Sequence, residues 1–229
     1  MKIAIIPARG GSKRIPGKNI KQFCGKPIIQ YSIDAALESR YFDEVMVSTD
    51  DHHIRDLSIR MGARVPFLRS PENSNDFATT ADVIVEVLEH YNNNEVNFEY
   101  GCCLYPTAPF VSPKILKKSY DLMRENDFQT VFPVCTFSYP ILRALSIDAQ
   151  GRAAMIWPEN LLKRSQDLPL AYHDAGQFYW FNIVEFLRNK NLYSNRTGAV
   201  IVSELETQDI DNETDWVLAE LKYQLSREK

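Results

Sequence analysis

Cysteine is scarce in this chain, and its few copies avoid the spacings that chemistry uses. Cys24, Cys102, Cys103 and Cys135 never fall at C-x-x-C intervals, which argues against the common zinc and redox motifs. Cys102 and Cys103 sit inside an apolar run, where buried reduced thiols are expected rather than a disulfide, and a cytoplasmic setting follows. Long apolar runs are missing too. No stretch approaches the roughly 20 apolar residues of a membrane span, and the N-terminus reads as a strand rather than a signal peptide. Internal repeats, low-complexity tracts and flexible linkers are absent. One large α/β core is therefore the default for 229 residues. His173 beside Asp174 has no serine or cysteine placed to complete a nucleophilic triad, so it reads as a surface or substrate-contact histidine.

Acidic residues are absent from the first 20 positions, although the chain as a whole carries a formal charge of −4. A short apolar run over residues 3–7 ends in a turn, Ala8-Arg9-Gly10-Gly11-Ser12-Lys13-Arg14-Ile15-Pro16-Gly17-Lys18-Asn19, that holds four cations. Paired glycines let backbone N–H groups converge, and the cations neutralise phosphate, so the turn reads as an anion cradle at a strand end. The competing reading is an ordinary basic surface loop. It is not a Walker A loop, because Gly17-Lys18 lacks a glycine five positions earlier and is followed by Asn19. Nor can G-x-G-x-x-G be read through Gly10-Gly11-Ser12. One basic turn on a net acidic chain points to a small anionic substrate and away from nucleic acid.

Strand and helix signals then alternate. Apolar β-rich runs at 3–7, 45–49, 65–68, 101–105 and 130–134 are separated by helical periodicity at 28–37, 80–91 and 114–124, with a short helix ending near Gly62. This pattern predicts a three-layer, Rossmann-like α/β domain with a mainly parallel sheet, whose ligands sit at the carboxyl ends of strands. From 138 to 181 the rhythm breaks into strands at 142–147, 151–157 and 177–181, an antiparallel insertion. The α/β domain is then residues 1–137 and 182–229, closed by a strand at 199–203 and a helix at 214–225. Trp157, Phe178 and Trp180 would leave the insertion with an exposed apolar patch, so a homodimer is expected to cover it.

Several polar clusters fall at the predicted strand ends. In an extended segment residues two apart share a side, so Asp209 and Asp211 can offer oxygens to one Mg²⁺, which a bound nucleoside triphosphate requires. Alternatively Asp211 or Asn212 caps the last helix, and both roles coexist if Asn212 is the cap. Asp50 and Asp51 are read either as site carboxylates or as a capping pair. The polar loop from Arg69 to Thr80 reads as a binding loop, with Thr79 or Thr80 capping the next helix. Pro106 and Pro109 stiffen the exit of a central strand and hold Tyr105 and Thr107 over the sheet edge. Arg164 can fork onto a carboxylate.

The turn at 8–19, with Val47-Ser48-Thr49-Asp50, Pro106-Thr107-Ala108-Pro109 and Asp209-Ile210-Asp211 with Asp215, resembles the CMP-sialic acid synthetase family of cytidylyltransferases over essentially the whole length. The resemblance implies a nucleotidyltransferase that joins CTP to a nonulosonic acid and releases pyrophosphate. Ala8, Arg9, Gly10, Gly11, Ser12, Lys13, Lys18 and Asn19 would hold the nucleotide, with Arg69 and Ala78 flanking the cytosine. Asp209 and Asp211 would hold magnesium. The catalytic groups would be Arg9, Lys18 and Asp211, and the base would be Asp211 or hydroxide supplied by the metal. Thr80, Tyr105 and Tyr179 would contact the sugar, and the insertion would be a dimerisation element lending Arg143 and Arg164 to the neighbouring site. Tyr105 stands where the family usually has glutamine, and Ala175-Gly176-Gln177-Phe178-Tyr179 replaces a pattern with small and aliphatic residues; the resemblance implies that both segments, Gln177 and Phe178 included, face the sugar. With Ser138-Tyr139-Pro140, these departures resemble the branch that activates pseudaminic acid; N-acetylneuraminate and legionaminate are the alternative acceptors. Two other classes remain open. A glycosyltransferase would carry its D-x-D after a central strand, and a non-catalytic nucleotide-binding module would not need the acid pair.

Overall fold

The computed structural model describes residues 1–227. In chain order its elements are β1 (Lys2–Pro7), β2 (Gln22–Phe23), β3 (Lys26–Pro27), α1 (Ile28–Ser39), β4 (Glu44–Ser48), α2 (His52–Arg60), α3 (Thr80–Asn93), β5 (Tyr100–Leu104) and α4 (Pro113–Glu125). They continue with β6 (Thr130–Thr136), β7 (Leu145–Ile147), β8 (Ala153–Met155), β9 (Tyr172–Asp174), β10 (Phe178–Asn182), α5 (Ile183–Asn189), β11 (Thr197–Val202) and α6 (Glu213–Arg227). The main sheet runs β11-β6-β10-β5-β1-β4, with β9 added along β6. β1 is parallel to β4 and β5, and β11 to β6, whereas β10 lies antiparallel between β5 and β6. The mainly parallel α/β sheet expected from the alternating pattern is present.

The interior strands β1, β5, β6 and β10, with β4, bury both faces, which is why they read as unbroken apolar runs, whereas edge strand β11 buries one face. Ala4, Ile6, Cys102, Leu104, Phe178 and Trp180 face α1 and α4, where Ile29, Ile33, Leu116 and Met123 meet them. Ile3, Ile5, Cys103, Tyr179 and Phe181 face α3 and α5, against Ile84, Val87 and Phe186. A third cluster joins Ile15 of the basic turn to Phe23, Ile28 and Tyr31, and to Ile210, Trp216 and Tyr223 near the C-terminus. That cluster brings the two chain ends of the site together.

Three expectations need correction. Residues 65–68 form no strand: Arg64 exchanges backbone bonds with Val45 and Val47 at 2.9 Å, and Pro66, lacking an N–H, cannot extend the ladder. The expected strand at 142–147 begins as a 3-10 turn at Ile141–Arg143 and pairs only from Leu145 onward. The segment 177–181 does not belong to the insertion, because β10 is an interior strand of the main sheet and β9 joins β6. Phe178 and Trp180 are accordingly buried within the single chain and expose no patch, while the peripheral arm is the shorter stretch around the β7–β8 hairpin.

Gly101 in β5 faces the ring of Phe181 in β10, where an added Cβ would lie 2.3 Å from the ring. Gly101→Ala should therefore destabilise the fold by about 1–3 kcal/mol. Thermal unfolding checks this, and an unchanged Tm would show that the two strands can part at no cost.

Candidate functional site

The carboxyl ends of β1, β4 and β5 open into a cleft of about 470 Å³, lined by the basic turn, the 69–80 loop and the exit of β5. The basic turn keeps its shape through buried anchors. Ala8 is fully buried and donates its N–H to Ser48 O at 2.9 Å, and Ile15 is sealed in the third core cluster. Asn19 is buried and donates its amide to Arg9 O at 2.9 Å, so it braces the turn from behind as well as lining the cleft. Gly10 donates its N–H to Asp50 at 2.9 Å. The expectation that the N–H of Gly10 faces the anion is corrected by that bond. What requires glycine there is proximity, since a Cβ would stand 2.9 Å from an Asp51 oxygen. Asp51 is the cap of α2, accepting from His53 and Ile54 N–H, so the two carboxylates have separate structural duties.

Each of the four cations has an acidic or carbonyl partner from a distant segment. Arg9 and Lys13 both meet Asp76, Arg9 at 2.9 Å. Hydrogen bonds from Lys13 and Arg9 hold the Asp76 carboxyl below the usual carboxylate range. Arg14 lies 2.8 Å from Asp211. Lys18 donates to Ile210 O at 2.6 Å and stands 4.0 Å from Asp211. Burial pushes the Lys18 amine down, with Asp211 and Asp209 opposing. Arg69 is buried at the cleft, donating Nε to Ser48 Oγ at 2.9 Å and a second nitrogen to Ser48 O. Desolvation lowers its pKa, and Asp50 offsets part of that.

The 69–80 loop is folded by its own amides. Asn75 Oδ1 accepts from the N–H groups of Phe77 and Ala78, placing Ala78 on the cleft wall. Thr79, not Thr80, caps α3 in a reciprocal box with Asp82, leaving Thr80 in the lining. Glu86 holds the loop's other end through Ser70 N–H at 2.8 Å and the Asn73 amide at 2.7 Å.

Asp209 and Asp211 alternate with buried Ile210 and so share the outer side of their segment. Asn212 accepts from Asp215 N–H at 3.0 Å, and one Asp215 oxygen accepts the N–H groups of both Asn212 at 3.0 Å and Asp211 at 2.9 Å, so the cap engages the Asp211 backbone but not the carboxylates of the acid pair. Burial raises the Asp209 carboxyl, and the negative charge of Asp211 raises it further. A hard cation between them would relieve that repulsion. Among the described residues no three His, Cys, Asp or Glu side chains converge as a metal cage. Magnesium needs only one or two carboxylates when substrate phosphates complete its shell, so the pair fits it.

Tyr105 lines the cleft, and buried Tyr179 supports it edge-on with ring centroids 5.7 Å apart. Gln177 and Phe178 do not face the cleft, contrary to expectation. The strand alternation of β10 turns Phe178 into the α1/α4 core, and Gln177 donates instead to Glu206 O at 2.6 Å. Gly11 is exposed on the turn and lines nothing. Arg143 and Arg164 lie on the peripheral arm, bonded to Ser165 and Asp167, outside this cleft. His173 is exposed against Phe137. Sequence reasoning offered Asp50 as a site carboxylate and residues 69–80 as a binding loop, but gave Asn75 and Asp76 no roles of their own. The signal for Asp76 was the surplus of unpaired charge on the turn it serves.

A mainly parallel sheet with a cationic turn and a buried arginine around one cleft at its carboxyl edge, and an acid pair next to that turn, defines a nucleotide-binding α/β protein. A solved structure of CMP:2-keto-3-deoxy-manno-octonic acid synthetase complexed with CTP shares the fold, with a TM-score of 0.69 over 100% of this chain and 99% of that one at 19% identity. The cytidylyltransferase family model matches residues 3–226, and the chain belongs to that family of nucleotidyltransferases. Over 99% of its length it is 38% identical to the pseudaminic acid cytidylyltransferase of Campylobacter jejuni, covering 97% of that protein. It is 33% identical to the CMP-N,N'-diacetyllegionaminic acid synthase of Legionella pneumophila, with the same coverages of 99% and 97%.

Asp50→Ala should loosen the turn, because it leaves the Gly10 N–H without its partner. The expected outcome is severalfold weaker binding of a nucleoside triphosphate by calorimetry, with a stability loss of about 1–2 kcal/mol. Unchanged affinity would show that the turn holds its shape without Asp50.

Proposed function

We propose that this protein activates pseudaminic acid, converting CTP and the sugar acid to CMP-pseudaminic acid and pyrophosphate. The observation that carries the reading is the gathering of Arg9, Lys13, Arg14, Lys18 and Arg69 along one strand-end cleft, with Asp211 beside it at 2.8 Å from Arg14 and 4.0 Å from Lys18. The full-length similarity to a pseudaminic acid cytidylyltransferase supports CTP and that sugar acid as the substrates.

The anomeric hydroxyl of the sugar attacks the α-phosphorus of CTP and gives up its proton to Asp211 or to solvent water. A new P–O bond forms, the α–β anhydride breaks, and pyrophosphate leaves with the electron pair. Arg9, Lys13 and Lys18 stabilise the charge on the departing phosphates, which requires Arg9 and Lys13 to exchange Asp76 for the ligand. Asn75 and Ala78 shape the wall against which the base lies, and buried Arg69 supplies a fixed cation. Mg²⁺, held by Asp209 and Asp211, would neutralise phosphate charge as a Lewis acid.

The acceptor side also calls for a second subunit. Around the arm, Tyr139, Ile147 and Leu162 are 84%, 73% and 94% exposed, more apolar surface than a solvated hairpin carries. A homodimer covers this surface and brings Arg143 and Arg164 to the partner's sugar site, where a guanidinium fork suits the sugar's carboxylate.

Pyrophosphate release assayed with each nucleoside triphosphate, magnesium and a panel of nonulosonic acids tests the reaction. CTP and pseudaminic acid should be preferred, and Asp209→Ala or Asp211→Ala should abolish turnover while the fold persists. Equal use of ATP would remove the cytidylyl reading, and a preference for legionaminate or N-acetylneuraminate would move the acceptor alone. Near-normal activity of both aspartate variants would remove their metal role.

Assembly has its own test. Sedimentation at micromolar concentration should give a dimer, and mixing inactive Arg164→Ala with inactive Lys18→Met should restore activity through hybrid sites. A fully active monomer would exclude the shared site.

A further inference from the structure

Asp174, at the end of β9, does not line the cleft, yet three donors from separate positions converge on its carboxylate. One oxygen accepts the Gly176 N–H at 2.8 Å. The other accepts the hydroxyls of Tyr179 and Tyr193, each at 2.5 Å. This carboxylate is the fixed point of the short turn between β9 and β10. Gly176 takes a left-handed backbone there, φ +62°, where an added Cβ would stand 3.9 Å from the Asp209 carboxyl carbon. Gln177 O in the same turn accepts the backbone N–H of Tyr105 at 2.9 Å. The ring of Tyr179 meets Tyr105 on one side and Phe132 on the other, at 5.7 Å and 5.4 Å.

A ring restrained only by apolar neighbours keeps freedom to tilt. A charge-accepting bond to its hydroxyl fixes both its plane and its depth. Burial first of all holds the Tyr179 and Tyr193 hydroxyls above the ordinary tyrosine range, joined at Tyr179 by the neighbouring Tyr105 and then Asp174 and at Tyr193 by Asp174, so both persist as donors. The bond does not exist to stabilise the arm, since none of the three donors belongs to it. What it orients is the one tyrosine that stands behind Tyr105, the wall where the acceptor is read.

We propose that Asp174 is a positioning residue for the acceptor sugar, holding Tyr179 and through it Tyr105 at the angle that contacts the nonulosonic acid. The proposal rests on the functional reading above. It separates the two substrates, because the Asp174 carboxylate bonds Gly176, Tyr179 and Tyr193 and makes no direct hydrogen bond to the cationic turn.

The test is steady-state kinetics of Asp174→Ala and Asp174→Asn with each substrate varied in turn. Loss of a bond to a charged group predicts an acceptor KM raised about tenfold or more in Asp174→Ala, with the CTP KM within about twofold. Asp174→Asn should fall between, since its amide oxygen still accepts from a hydroxyl. Combined with Tyr179→Phe, the alanine change should add little further to the acceptor KM, as expected of two residues acting through one bond. Tyr193→Phe, which removes the other hydroxyl, should leave both Michaelis constants near normal. Equal rises in both constants, no rise in either, or full additivity with Tyr179→Phe would overturn the positioning role. If Asp174→Ala does not fold, Asp174→Asn is judged by the same criteria. An unmodified protein that turns over no nonulosonic acid would instead defeat the functional reading, and calorimetry with CTP alone would distinguish that case.

Discussion

Four like charges within ten residues repel, and the site exists because carboxylates from remote parts of the chain hold them in place. Asp76 comes from the loop before α3, Asp211 from the segment before α6, and Asp50, which fixes the backbone between the cations, from the end of β4. Each contact is a modest one at an exposed or half-exposed position, and none alone accounts for much stability. Together they decide where the turn can sit. The same pairs can be exchanged, because a phosphate oxygen satisfies Arg9 and Lys13 as well as Asp76 does. A turn preset by replaceable partners needs little reorganisation to accept an anion.

The opposite wall is built on a different principle. Rings and a single carboxylate fix Tyr105 and Tyr179, with few charges able to move. One side of the cleft is thus electrostatic and adaptable, the other packed and oriented. The turn between β9 and β10 joins them: Thr207 donates to Ala175 O at 3.0 Å, tying the tyrosine wall to the segment that carries Asp209 and Asp211.

The sequence was most legible where information is local. Apolar runs buried on both faces announced β1, β4, β5 and β6, the apolar run at 199–203 announced the one-sided edge strand β11, and the 3.6-residue periodicity of Val83, Val87 and Tyr91 placed α3. The basic turn stood out because its composition opposed that of the whole chain. Less legible was everything decided by partners far along the sequence. β10 was recognised as a strand, but nothing in Phe178–Asn182 states that it inserts between β5 and β6, so its aromatic residues looked like an exposed patch. Asp76 and Asp174 are ordinary loop acids until folding brings Arg9, Lys13, Tyr179 and Tyr193 to them. Gln177 and Phe178 were misassigned for a related reason: strand alternation decides facing, and a shift of one residue reverses every side chain.

The interior position of β10 also governs the order in which the chain can fold. All three strands that pair with β6 — β9, β10 and β11 — follow it in sequence. While the protein emerges from the ribosome, β1, β4 and β5 can assemble early, but the apolar strand Thr130–Thr136 must wait with both edges bare for some forty further residues or more. Pro133 stands in the middle of that strand. Having no N–H to donate, it weakens any premature pairing with another nascent chain, while its carbonyl still accepts the Ala175 N–H at 3.0 Å once the true neighbour arrives.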